Sequence, residues 1–446
     1  MKRLLNNTTW ILINQIFQLA VSFFVGIATV RYLGPSNYGE ITYISSYVSF
    51  FSNFCALGLD TVVINRLVVY QDRDGEVIQS AIFLRFIAGL ISVASVTLMI
   101  HFIDHDQELV MIAALMSLKL IFYAFNTVEY WYQYKLMSKK TAIADMIAFT
   151  IASLYRVYIL ATGKSIYWFA CYETLLYFVN AFFYVPMFRK DCSHPIHISK
   201  DLCLDLLHSC IPYLIAGLML ALYSQIDRIM IKQILNSTEE VGYYSVAATL
   251  CNLISFIPES ISLSARPVLM QMKREKAQTY DLRVTQVLAS IIWFSLVYSV
   301  LLTAFAAPVI RILYGDSYLP SVPALRILVW SSLFSHLTKI RDMWLLGEDQ
   351  SRFVTFLSAI GTLMNVVLNA IMIPRLGISG AAIATLLTQG ILTLVVPACF
   401  SQTRGFAIDA LHAITLHGVQ IHDLLNEIRD ALPGMSRKGN KDESEN

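Results

Sequence analysis

The chain has 446 residues, 56% of them hydrophobic and only 14% charged, with a mean hydropathy of +0.59. Soluble domains carry about 25% charged residues, so this composition excludes a soluble globular protein and defines an integral membrane protein. The formal net charge of +2 comes without a basic stripe and gives no footing for nucleic acid.

Apolar runs of about 20 residues, enough to cross ~30 Å of hydrocarbon, recur with almost no soluble sequence between them, and twelve spans are predicted. The first six are Thr8 to Val30, Asn37 to Leu59, Ile78 to Ile100, Leu109 to Tyr134, Ala142 to Ala161 and Ile166 to Met187. The second six are Leu206 to Leu235, Val241 to Leu263, Val284 to Ala306, Pro323 to Leu346, Phe353 to Ile373 and Ile378 to Phe400. The first span is too long for the h-region of a cleaved signal peptide, and no small-residue cleavage site follows it.

Six and six fits an internal duplication. VGIATVRYLGPSNYGEITYISSYV near the N-terminus has an imperfect echo in SQIDRIMIKQILNSTEEVGYYSVAATL. In both, an apolar run ends in a cation (Arg31, Lys232), and a turn leads to a glycine (Gly39, Gly242) that opens the next run. A second pair of stretches begins at Trp131 and Trp344 and passes through a charged turn, a long helix and a second helix at Ile166 and Ile378. All these pairs share one offset near 200 residues, as a tandem duplication requires, whereas short repeats of the solenoid kind are absent. The predicted fold is therefore an all-α integral membrane protein of twelve transmembrane helices in two parallel-repeat six-helix lobes. The lobes are residues 1–198 and 199–400, followed by a cytoplasmic tail, 401–446.

Lys and Arg set the orientation. With the N-terminus in the cytoplasm, the inward segments hold 22 cations and the outward turns hold 5, namely Arg31, Lys164, Lys232, Arg311 and Arg375. Both termini are predicted to be cytoplasmic, and the lobes' symmetry axis is predicted to run along the membrane normal. None of the seven cysteines falls in an outward turn, which fits a chain without disulfides.

Soluble chemistry has little room. Gly163-Lys164-Ser165 ends like a P-loop, but Tyr158 stands where the motif needs its first glycine, so phosphate cradling fails. Cys192, His194, His197 and Cys203 in the loop between the halves match no zinc spacing and are read as solvated loop residues. In the tail, Leu411, Ile414, Ile421, Leu425, Ile428 and Leu432 recur at roughly helical spacing and predict an amphipathic helix against the membrane or the inward loops.

Ionisable groups inside spans are the informative residues, because each costs ~2.5–3.5 kcal/mol at mid-helix. Lys119 lies ~15 Å from the outer end of span four. It has no acid within reach on its own helix, so it needs water, a carboxylate from another helix, or a bound phosphate. Helical spacing gathers polar groups into stripes. Asp145 and Arg156 share a face of span five, and Ser224, Arg228 and Lys232 one of span seven. Asn252, Ser255 and Glu259 align on span eight, Ser332, Ser335, His336 and Lys339 on span ten, and Ser358, Thr362, Asn365 and Asn369 on span eleven. Such stripes either glue a bundle together or wall a polar cavity, and together they favour the cavity. Lys119, Arg156, Arg228, His336, Lys339, Asn365 and Asn369 are the substrate-binding candidates. Asp145, Glu173, Asp227 and Glu259 are the candidates for ion coupling.

The run ATVRYLGPSNYGEITY, its echo SQIDRIMIKQILNSTEEVGYYSVA, the twelve spans and the basic cytoplasmic face resemble the Wzx-type O-antigen flippases. These form part of the polysaccharide transporter branch of the MATE-like MOP superfamily, and the likeness covers roughly Met1 to Phe400. Arg31, Gly34, Gly39, Asp227 and Gly242 match as family pattern only and inherit no substrate role. The resemblance implies translocation of an undecaprenyl-diphosphate-linked oligosaccharide from the cytoplasmic to the periplasmic leaflet of a bacterial inner membrane. It also implies a central, often cationic cavity and alternating access by rocking of two lobes, without a cofactor or catalytic residues. Membrane lipids and other polysaccharide assembly proteins are the remaining partners it implies. Two other readings stay open: a MATE-like multidrug cation exporter, which would favour an acidic cavity, and a membrane polysaccharide polymerase or acyltransferase, which would need a clustered acid–base site.

Overall fold

A computed structural model describes residues 2–275, 280–347, 351–400, 403–406, 410 and 413. These residues are almost entirely helical and include no strand. The first unit contains α1 (Lys2–Ala56), α2 (Leu59–Val69), α3 (Asp74–Asp104), α4 (Gln107–Ser117), α5 (Lys119–Tyr123), α6 (Thr127–Tyr134), α7 (Ser138–Thr162), α8 (Ile166–Asp191) and most of α9 (Lys200–Leu235). Then follow α10 (Thr238–Asn252), α11 (Phe256–Arg274), α12 (Tyr280–Ala304), α13 (Ala306–Tyr314), α14 (Ser321–Gly347), α15 (Ser351–Leu376), α16 (Ile378–Gly390) and α17 (Val396–Cys399). Each of the twelve expected spans falls on helical backbone. Among the described residues eight helices are long and apolar enough to cross a membrane, and a ninth is added if the bent pair of α10 and Phe256–Ser262 counts as one.

Two interruptions have local causes. Spans one and two run together as α1, broken at Gly34, whose φ of 71° and ψ of 173° suit only glycine, with Pro35 next. Span four crosses as one helical run, Gln107–Tyr134, interrupted by a 3₁₀ turn at Ala124–Asn126 between α5 and α6; a 3₁₀ turn in mid-span often marks a hinge or a site. At the far end of α7, Gly163 adopts the left-handed conformation (φ 64°) and caps the helix, a structural role for the would-be P-loop glycine.

The repeat motif also acquires a packing reason. A Cβ on Gly39 would sit 1.7 Å from the carbonyl oxygen of Thr238, and one on Gly242 would sit 2.1 Å from that of Pro35. Absent side chains let the two backbones touch here, as at close helix crossings in membranes.

Contacts divide the chain into residues 1–232 with 237–242, and 233–236 with 243–446. The sequence places the division at 198/199, whereas the fold groups most of α9 with the first six spans. Ion pairs fasten that helix at both ends. Arg66 reaches Asp205 at 2.7 Å through both Nε and Nη2, and also bonds Ser209, while Lys232 lies 3.4 Å from Asp104.

The loop before α9 is likewise not a free, solvated strand of chain. Asp74, 1% exposed, accepts from Trp131 Nε1 (2.9 Å), Lys135 Nζ (3.0 Å) and His194 Nδ1 (2.8 Å), with the Cys192 thiol at 3.5 Å. Burial pushes the Asp74 carboxyl up, but the hydrogen bonds from His194, Trp131 and Lys135 outweigh it and bring the pKa down to about 2. Cys192 and His194 are therefore anchoring residues, which corrects their reading as solvated; His197 is exposed, 3.7 Å from Glu76. All seven cysteines are free thiols. The amphipathic tail segment lies outside the described residues, apart from 403–406, 410 and 413, of which Phe406, Ala410 and Ala413 are buried.

Candidate functional site

Within the first unit, a polar cavity of about 260 Å³ is lined by α1, α6, α7, α8 and the 3₁₀ turn of span four. Its wall carries two carboxylates, Asp145 from α7 and Glu129 from α6. Asp145 accepts hydrogen bonds from Asn14 Nδ2 (3.2 Å) and from the Tyr184 hydroxyl, and Gln18 Nε2 donates to Asn14 Oδ1 at 3.0 Å. Gln133 Nε2 donates to Glu129 Oε1 at 3.0 Å. The side-chain oxygens of Asn126 and Asn180, which also line the cavity, accept no hydrogen bond. Position follows from the helix starts: Asn7 Oδ1 accepts from the Ser138 amide at 2.7 Å and pins the first turn of α7 to α1. A cavity walled by carboxylates and idle amide oxygens suits a proton or a small hard cation and opposes an anion. Among the described residues no group of three His, Cys, Asp or Glu side chains is placed to hold a metal.

Further along the same unit the charge reverses. Lys119, 8% exposed, forms an ion pair with Glu173 of α8, so of its three possible partners the fold supplies a carboxylate from another helix. The Arg156 guanidinium lies 3.5 Å from the centre of the Tyr172 ring. Asp145 and Arg156, which share a face of α7, thus serve different surroundings. Asp227 and Arg228 are half-buried on α9, where Arg228 Nη1 donates to Gln225 Oε1 at 3.0 Å. Arg85 is fully buried on α3, its Nη1 on Thr127 Oγ1 (3.0 Å) and its guanidinium 4.7 Å from the Tyr123 ring.

In the second unit the polar stripes of spans eight and ten meet. Span eight is bent by 41° between α10 and α11, which frees backbone carbonyls. The Tyr298 hydroxyl bonds Leu250 O at 2.5 Å and Ser332 Oγ bonds Cys251 O at 3.5 Å. One turn on, His336 bridges Ser255 Oγ (Nε2, 3.2 Å) and Ser295 Oγ (Nδ1, 3.0 Å). One turn further, Lys339 pairs with Glu259, and these two side chains remain 43% and 48% exposed. The contacts occur in the same order along both helices, so span ten runs parallel to span eight, as alternate spans must. Asn365 and Asn369 lie elsewhere: both are buried on α15, Asn369 Nδ2 donates to Asn365 Oδ1 at 3.0 Å, and Asn365 reaches Thr385 of α16.

The candidates therefore fall into five places: Asp145 in the acidic cavity, Lys119 and Glu173 in a pair beside the Arg156–Tyr172 stack, His336 and Lys339 of α14 with Glu259 of the bent span eight, Asp227 and Arg228 on α9, and Asn365 and Asn369 on α15. Sequence reasoning missed Asn14, Gln18, Glu129, Asn180 and Tyr184. The i, i+4 pair Asn14 and Gln18 in an apolar first span was the available signal.

A model of the family described as polysaccharide biosynthesis protein matches residues 29–323. An uncharacterized membrane protein of Methanocaldococcus jannaschii is 20% identical over 413 residues, covering 86% of this chain and 81% of that one. Among solved structures, the lipid II flippase MurJ in an inward closed conformation aligns with a TM-score of 0.69 at 12% identity, covering 94% of this chain and 90% of its own. An inward-facing multidrug resistance MATE family transporter of the MOP superfamily aligns at 0.63 and 17% identity, covering 90% and 95%. Identities this low establish a common fold with these two proteins.

Proposed function

Because this chain belongs to the polysaccharide biosynthesis protein family, we propose that it is a flippase. Its cargo on this reading is an undecaprenyl-diphosphate-linked O-antigen oligosaccharide, moved by alternating access from the cytoplasmic to the periplasmic leaflet of a bacterial inner membrane, with both termini cytoplasmic. The observation that carries the reading is the half-exposed pair of Lys339 on α14 with Glu259 on the bent span eight. A charge pair left open within a membrane span belongs on a water-filled path rather than in lipid, and there a cargo diphosphate can take over the ammonium from Glu259. His336 and Ser332 hold the helix that presents it. Neither Asn365 nor Asn369 is open enough for sugar; Asn365 joins α15 to Thr385 of α16, and Asn369 donates to Asn365.

Energy enters, on this proposal, through the acidic cavity, where Asp145 exchanges a proton or small cation and Glu129, Asn126 and Asn180 complete the oxygen shell. The same acidity favours a second reading, export of an organic cation. No acid–base cluster positioned for group transfer accompanies either site among the described residues, so the enzyme alternatives gain no support.

The two readings separate in proteoliposomes. A lipid-linked oligosaccharide with a fluorescent label should become protected from an external reductant only when wild-type protein is present, and Lys339→Ala should abolish this. If the oligosaccharide stays put while an ion gradient drives accumulation of a lipophilic cation such as ethidium, the exporter reading replaces the flippase.

A further inference from the structure

The seam between α1 and α7 has two unlike sides. One carries the acidic cavity. The other is an apolar groove of about 420 Å³ formed by Trp10 and Phe17 of α1 with Ile143, Met146, Ile147 and Ile151 of α7. Of its two lining residues with a polar group, Trp10 and Thr150, the latter spends its hydroxyl on the Met146 carbonyl at 2.7 Å, so the walls are almost wholly apolar. Ile143, Ile147 and Ile151 recur every fourth residue at 39%, 42% and 41% exposure, with Leu154 at 63% one turn on. A stripe this exposed on a membrane span faces hydrocarbon. From residue 143 to 151 the groove runs ~12 Å along the helix axis, the reach of part of one acyl chain.

At its mouth stand the two groups that mark a membrane interface. Trp10 lines the groove, and the ammonium of Lys139, in the first turn of α7, lies 5.0 Å from the centre of its ring. Deeper in, the ring of Phe17, on the groove side, meets that of Phe149, on the cavity side, edge to face at 6.3 Å.

We infer that this groove binds one acyl chain of an anionic phospholipid, with the lipid phosphate on Lys139. The charge at the mouth selects the headgroup: one surface Lys favours an anionic lipid about fivefold. The apolar walls hold the chain, and the Phe17–Phe149 contact makes the bound chain a brace for the wall of the acidic cavity.

Native mass spectrometry of the full-length protein released from vesicles of equal parts phosphatidylglycerol and phosphatidylcholine tests this without any transport measurement, so its result is independent of the flippase reading. Wild-type protein should retain phosphatidylglycerol about fivefold over phosphatidylcholine. Lys139→Gln should bind both equally, and Ile147→Trp or Ile143→Trp, each placing a large ring in the groove from a half-exposed position, should lose the bound lipid. Equal retention of the two lipids by wild type, or undiminished phosphatidylglycerol on both Trp variants, overturns the assignment. So does displacement of phosphatidylglycerol by an equal amount of polyprenyl diphosphate, which would give the groove to the cargo's tail instead.

Discussion

Two Lys–Glu pairs, one in each unit, share a chemistry and differ in their access to water. The Lys119 side chain is 10% exposed and that of its partner Glu173 38%, whereas the Lys339 and Glu259 side chains are 43% and 48% exposed, so it is the two ammoniums that differ most. A buried ammonium depends on its partner, because without it an uncompensated charge is left in a low dielectric. A half-exposed pair depends much less on its partner, since water can replace either member, and for the same reason a phosphate can too. In this chain, identical residue types therefore hold the bundle together in one place and are free to meet a ligand in the other.

The sharpest way to break this comparison is Glu173→Ala, which leaves the Lys119 ammonium, its side chain 10% exposed, without its acid. It should cost about 3–5 kcal/mol, seen as reduced membrane abundance and a lower melting temperature in detergent, and Lys119→Ala with Glu173→Ala should recover much of the loss. Full stability in the single variant would mean that the pair is not structural. Next in size is Asp74→Ala, which strips three donors of their acceptor and should destabilise the first unit by about 3 kcal/mol. Its pH dependence has a fixed sign. The folded pKa of about 2 lies below the usual carboxyl value, so the Asp74 contribution is present above roughly pH 4 and fades as pH falls toward 2. The melting-temperature gap between wild type and Asp74→Asn should therefore narrow below pH 4; a gap that widens there would refute the fastening. His336→Ala removes two hydrogen bonds to neighbouring helices and should cost about 1–2 kcal/mol by the same assay. The smallest change in stability, within about 1 kcal/mol, is expected for Lys339→Ala, although oligosaccharide flipping should fall at least tenfold. Lys339→Arg should restore part of that flipping, because the charge persists while its geometry changes.

Much of this was legible in the chain itself. Ser332, His336 and Lys339 recur on one face of span ten, and Asn252, Ser255 and Glu259 on one face of span eight; the structure joins these two faces. For Lys119 the helix period showed that its own span offers no acid, yet it did not point to Glu173, 54 residues away in another helix. The acidic cavity was read through Asp145 alone. Its other members, Asn14, Glu129, Asn180 and Tyr184, come from three further helices, and only Asn14, four residues before Gln18 in an apolar span, gave a sign on its own span.

The amino-acid sequence by itself determined the class, the positions of the apolar spans and the doubled pattern around Gly39 and Gly242, because hydropathy, helix period and repeat spacing are local properties of the chain. Only the tertiary structure decided which helices face one another. That choice gave Lys119 a carboxylate, left Lys339 half open, brought α9 into the first unit through Arg66 and Asp205, and set Gly39 against Thr238. The physical reason is that a charge or a missing side chain becomes glue, site or contact through its distance to groups far along the chain, and packing alone sets that distance.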